Sequence, residues 1–167
     1  GGTSDSSAAT RSYMANAHNT AWRTPAGGPI IDGFFVSSIL GTAKIELVDV
    51  PRIAMPTEFE VFSSRTQLAT NGGMGAYRGP DSNVPGNQLR IYEIAGMSHN
   101  DARDQPAAAV FPGCGEPLSR FPHGAMNFMG LQWVIDWAFN GKTPPASPAF
   151  VNLAGSATAI VRDAYGN

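Results

Sequence analysis

Gln88-Leu89-Arg90-Ile91-Tyr92-Glu93-Ile94 runs directly into Ala95-Gly96-Met97-Ser98-His99-Asn100-Asp101. The first seven residues have the length and composition of a strand, and Ala95-Gly96 ends it. A histidine follows in a loop of small residues, where the C-terminal end of a parallel strand would deliver a functional side chain. Histidine is the usual general base near neutral pH, so the stretch reads as a strand presenting a base. A plainer reading makes His99 a surface histidine bonded to Asp101 or Asp104. A third groups His99, Asp101 and Asp104 around a metal, although no second histidine lies nearby in sequence.

Outward from this stretch, other strand and helix signals alternate. Ile30-Ile31-Asp32-Gly33-Phe34-Phe35-Val36-Ser37-Ser38 is almost continuously apolar, as expected of a strand covered on both faces. Arg52-Ile53-Ala54-Met55 is a further strand, stopped by Pro56. The stretch from Ser6 to His18 lacks Gly and Pro and places Ala9, Tyr13 and Ala17 on one helical face. Met126 to Asn140 predicts the clearest helix, with an apolar stripe among Met126, Met129, Trp133, Ile135, Trp137 and Ala138 and with Gly141 its stop. Residues 24–29 and 63–87 read as loop and surface excursion, Thr143-Pro144-Pro145 as an extended exit, and Ala159-Ile160-Val161 as a short strand. This alternation predicts an α/β fold with a mostly parallel sheet flanked by helices. Three or four strands and two helices make a thin sheet for 167 residues. An open edge would be an aggregation hazard, so the fold is expected to be incomplete by itself.

Composition narrows the function. Charged residues are 14% of the chain, against about 25% in an average soluble protein. The 19 glycines and 13 prolines describe a loop-rich chain, while 43% apolar residues supply a core. A net charge of −2 gives no electrostatic footprint for nucleic acid or an anionic membrane. No apolar run approaches the roughly 20 residues that span a bilayer. The single cysteine, Cys114, excludes an internal disulfide framework and a thiolate metal cluster. The low charge and Gly/Pro/Ala richness lean towards an extracellular or periplasmic location.

Two more stretches carry candidate chemistry. Gly2-Thr3-Ser4-Asp5-Ser6 has the form of a nucleophile elbow, a serine between small neighbours with a helix following. The tight turn holds the hydroxyl exposed, and the helix N-terminus aims free N–H groups at developing negative charge. A helix cap or a flexible start is the plainer reading. In Met55-Pro56-Thr57-Glu58-Phe59-Glu60-Val61, two carboxylates lie just past a strand. If the backbone stays extended, Glu58 and Glu60 point the same way; a solvated loop is the alternative. Ser, acid and His appear in the chain order of an α/β-hydrolase, distinct from other serine-hydrolase folds.

Ile31-Asp32-Gly33-Phe34, residues 56–61, residues 90–101 and the stretches Trp133-Val134 and Gly141-Lys142-Thr143-Pro144-Pro145 together resemble a mostly bacterial family of α/β-hydrolase-domain proteins. The resemblance covers most of the chain, and its most specific part is the strand followed by Ala-Gly-x-x-His-x-Asp. The family's elbow often reads Gly-x-Ser-Gln-Ser, so Ser6 fits while Asp5 replaces the usual Gln. Its acid is often Asp in a Thr-Glu-x-Asp-Val string, a position Glu60 fills here, with Glu58 in reserve. The resemblance implies a serine hydrolase, most directly a carboxylic-ester hydrolase acting through a Ser4–His99–Glu60 triad and an acyl-enzyme, without cofactor or metal. The backbone N–H of Asp5 would supply one oxyanion donor. Family sequences extend before Gly2 and past Asn167. Residues 1–167 are therefore expected to be the C-terminal portion of one domain, completed by an N-terminal segment or companion chain, and poorly active alone.

Several residues receive plainer readings. His18 and His123 are expected to be structural, and Trp133 and Trp137 to be core. Cys114 is expected to be a buried thiol or to pair with a cysteine elsewhere. Asp81-Ser82-Asn83 lacks the spacing of a calcium loop. Beside the ester hydrolase stand two other functional readings: a non-catalytic binding or structural module of a larger exported protein, and a metal-dependent hydrolase built on His99.

Overall fold

Phe34-Phe35-Val36-Ser37 and Arg52-Ile53-Ala54-Met55 are buried at every position, as strands covered on both faces must be. They are the middle of a four-stranded sheet in the computed structural model, which describes residues 2–3, 5–38, 45–61, 80–100, 119–147 and 164. The strands are β1 (Gly2–Thr3), β2 (Phe34–Ser37), β3 (Arg52–Met55) and β4 (Leu89–Ile91), in spatial order β1-β2-β3-β4. All three pairings are parallel, with Thr3 opposite Ser37, Ser37 opposite Met55 and Ala54 opposite Ile91. The C-terminal ends of all four strands therefore share one rim. The α/β architecture expected of the sequence is present.

Helix α1 (Asp5–Tyr13) follows β1, and α2 (His123–Asn140) follows β4 in chain order. Side chains alternate across the sheet and give each helix its own core. Phe35, Ile53, Met55 and Tyr92 pack with Val134 and Trp137 of α2. On the opposite face, Phe34 packs with Met14, Val48 and Val50, and Val36 with Ala54, Leu89 and Ile91. Gly130 sets how close α2 can come. A Cβ there would stand 2.4 Å from Phe35 Cε2 and 2.8 Å from Met55 Cε. Gly141 ends α2 in the left-handed region, at φ 63°, with its N–H donating to the Asp136 carbonyl, as a helix-terminating glycine does.

The elements differ in detail from the sequence reading. The expected strand over residues 30–38 contracts to Phe34–Ser37, because Ile30 and Ile31 face solvent. The helix expected through His18 widens into a π-helix over Met14–His18. Its inward face is Ser7, Met14 and His18 rather than Ala9, Tyr13 and Ala17. The reason is polar: the Ser7 hydroxyl donates to the Ser37 carbonyl at 2.6 Å and accepts the Ser37 N–H, while Arg11 pairs with Glu46. In α2, Ile135 points outward, and Gly130, Val134 and Trp137 form the buried seam. Trp137 is core as expected, and Trp133 packs beside it. The strand expected at 159–161 and Cys114 lie outside the described residues.

Candidate active site

Thr57-Glu58-Phe59-Glu60 follows β3 and has the Ser/Thr-x-x-Glu spacing of a helix capping box. It forms the glutamate half of one: residues 58–61 turn into helix, and Glu60 Oε2 accepts the Thr57 backbone N–H at 2.8 Å and the Thr57 hydroxyl at 2.5 Å. Because the backbone coils instead of staying extended, Glu58 and Glu60 do not point the same way. Glu60 is fully buried, and two donors on one oxygen fix its rotamer. Its other oxygen, Oε1, bonds Nδ1 of His99.

His99 reaches this carboxylate because its loop is tied to the segment after β3. Ile94 N–H donates to the Pro56 carbonyl at 3.1 Å, and Glu58 N–H to the Met97 carbonyl at 3.0 Å. Thr57 and Ile94 form a parallel bridge that prolongs the β3–β4 pairing. The chain then turns at Gly96, at φ 72°, a conformation that costs glycine little. The Glu58 carboxylate accepts the Gly96 N–H at 2.8 Å. Met97 is buried as a plug, Ser119 donates to the Gly96 carbonyl at 2.6 Å, and His99 emerges partly exposed. The carboxylate in reserve, Glu58, thus holds the loop that carries the histidine, while Glu60 holds the histidine itself.

With Glu60 accepting at Nδ1, the bonding assigns the His99 proton to that nitrogen and leaves Nε2 as the basic one. This is how a carboxylate orients an imidazole that takes a proton from a neighbour. Among the described residues, no group of three His, Cys, Asp or Glu could hold an ion. Asp101 and Asp104 lie outside them. Asp81 and Asn83 bond to β4: Asp81 accepts the Ile91 N–H at 3.2 Å and the exposed Asn83 accepts from Arg90 at 2.5 Å.

Ser4 also lies outside the described residues. Its neighbours in the chain are the last residue of β1, Thr3, and the first of α1, Asp5. A one-residue link between a parallel strand and a helix is the framework an elbow requires. On the adjacent strand, Ser38 closes β2 with φ 50°, a left-handed conformation costing a non-glycine residue about 1–2 kcal/mol. This strained residue lies at the C-terminal rim.

Thr57 is the residue that the sequence reading missed, and the capping-box spacing was its signal. His18 and His123 are buried. His18 has a partner that no sequence signal showed, for its Nε2 bonds Asp49 Oδ1 at 2.9 Å. Among the described residues, no helix is long and apolar enough to cross a membrane.

No curated protein and no solved structure matches the chain. One family does match, over residues 1–167, under the description alpha/beta hydrolase domain. That match agrees with a parallel sheet whose strands deliver an acid and a histidine to one rim in the expected order: the chain belongs to the alpha/beta hydrolase domain family.

Proposed function

We propose that this protein is a serine hydrolase that cleaves carboxylic esters through an acyl-enzyme on Ser4. The observation that carries the reading is the Glu60–His99 pair, in which a buried, doubly anchored carboxylate aligns a partly exposed imidazole. In the first half-reaction, Ser4 Oγ attacks the ester carbonyl carbon while Nε2 of His99 takes the hydroxyl proton. The tetrahedral oxyanion is held by the backbone N–H of Asp5 and a second donor. Collapse breaks the bond to the alcohol oxygen, which leaves with the proton from Nε2. Water then attacks the acyl-serine, giving its proton to His99, and the carboxylic acid departs as Ser4 recovers its proton. Throughout, Glu60 stabilises the imidazolium and keeps Nε2 aimed at the reacting oxygens.

A companion proposal concerns the other side of the sheet. β1 pairs with β2 alone among the described strands, so the strand leading to Ser4 is an edge. An edge strand exposes unpaired backbone groups, and an N-terminal segment or companion chain would cover it. That addition would also bring the second oxyanion donor, whose loss costs on the order of 10²–10³ in rate.

A serine-directed fluorophosphonate tests both parts. Labelling of Ser4 in the chain joined to such a completing segment, abolished in Ser4→Ala and His99→Ala, is the expected result, with residues 1–167 alone labelled at least tenfold more slowly. A protein that labels in neither form overturns the hydrolase reading in favour of a binding or structural module. Equal labelling of the 167 residues alone overturns the need for a completing segment.

A further inference from the structure

Phe59 sits between two glutamates that each have a task, and among the described residues no apolar cluster takes up its own side chain. The helical turn that fully buries Glu60 and Val61 leaves Phe59 52% exposed, and it belongs to none of the three apolar clusters. At the solvent side of such a turn a polar residue would serve the fold as well. Its ring instead lies 5.8 Å from the His99 imidazole, centroid to centroid, tilted by 56°, within the range of aromatic contact.

This position has a chemical consequence if the hydrolase reading holds, on which the following rests. The alcohol oxygen must come within hydrogen-bond reach of Nε2, about 2.6–3.2 Å, to collect its proton. The acyl half is held through its bond to Ser4 Oγ, with only its carbonyl oxygen at the oxyanion donors. Among the described residues, the Phe59 ring is an exposed apolar surface beside the imidazole that serves the alcohol oxygen. We propose that Phe59 is the specificity-determining wall for the leaving group, and that it favours esters of aromatic alcohols. Its flat exposed face offers an aryl group the contact that a short alkyl alcohol cannot make.

Benzyl acetate, benzyl butyrate and ethyl acetate separate the two halves of the substrate. With the form of the protein that labels best, kcat/KM should favour benzyl over ethyl acetate. Phe59→Ala should lower kcat/KM for both benzyl esters by about 2- to 12-fold, the span of an aromatic contact. The ethyl ester should change less than about twofold, and the butyrate-to-acetate ratio should stay the same. A loss merely from loosening His99 would strike all three esters equally and overturn the assignment, as would no loss for any of them. Fluorophosphonate labelling of Ser4, run in parallel, separates the failures. A wild type that labels but does not discriminate between alcohols removes the role of Phe59 alone. A wild type that does not label removes this role together with the hydrolase reading.

Discussion

Two histidine–carboxylate pairs stand at opposite ends of the sheet, and they are built in opposite ways. At the C-terminal rim, the carboxylate of Glu60 is fully buried and the imidazole of His99 is 20% exposed. Near the start of β2, the ring of His18 is fully buried and the side chain of Asp49 is 41% exposed. Glu60 spends its second oxygen on Thr57, whereas Asp49 is shared with Arg23 at 2.6 Å. The tautomers differ too: His99 donates from Nδ1 and keeps Nε2 basic, while His18 donates from Nε2 and leaves Nδ1 without a partner among the described residues. An unpaired ring nitrogen without a proton is cheaper to bury than an orphaned N–H. The rim pair hides its acid and opens its base, the arrangement the proposed proton transfer requires. The second pair hides its base and lets an arginine hold the acid.

The largest test of that contrast is Glu60→Gln. The Thr57 N–H can only donate, so the new amide must turn its oxygen towards Thr57 and its NH₂ towards His99. Nδ1 then becomes an acceptor, and the imidazole proton moves to Nε2, where a base is needed. We expect kcat for ester hydrolysis to fall by about 10²–10⁴, with the denaturant midpoint changed little. A fall of only a few fold would mean that Glu60 does not orient the base, and the distinction between the two pairs would lose its functional meaning.

At the other pair, the expected loss is in stability. His18 packs between the rings of Tyr13 and Phe34, with centroids 6.1 and 4.9 Å away. His18→Ala removes those contacts together with the bond to Asp49. Truncating a fully buried ring should cost about 2–4 kcal/mol, a large share of the 5–15 kcal/mol typical of a domain. Urea unfolding should show it as a lower midpoint with unchanged slope, while turnover per folded molecule stays at the wild-type value. A loss of turnover at an unchanged midpoint would place His18 in the chemistry instead.

The two pairs were unequally legible in the sequence. His99 stood out because an apolar strand ended directly before it, and periodicity reports strands well. Glu60 stood out because it followed another strand in the order of a known triad, but choosing it over Glu58 needed the family resemblance. What was not read was the helical turn that separates the two glutamates. Its cause, Thr57 three residues ahead of Glu60, is a local signal that an apolar pattern hides. The face of α1 was misassigned for a related reason. Ser7 and His18 are buried by hydrogen bonds to Ser37 and Asp49, and hydrophobic periodicity is blind to polar residues buried by long-range partners. The contraction of the strand at residues 30–38 had a similar origin, since apolar residues alone do not reveal where a neighbouring strand stops pairing.

The smallest test concerns pH and isolates the second pair. The Arg23 guanidinium, hydrogen-bonded to Asp49, holds its carboxyl at about 2, with His18 adding to the effect and partial burial opposing it. An unfolded aspartate titrates near 3.9. A carboxyl whose folded pKa is depressed contributes its full stability above the unfolded value, and the contribution is lost as pH falls from about 4 through about 2. Because the side chain is 41% exposed, solvent screening limits the effect to about 1 kcal/mol or less. Asp49→Asn should therefore melt slightly below the wild type at pH 6, and the two melting curves should converge as the pH approaches 2. If the gap persists at pH 2, the pair acts through hydrogen bonding alone, because an asparagine–aspartic acid difference that ignores protonation cannot arise from the carboxylate charge.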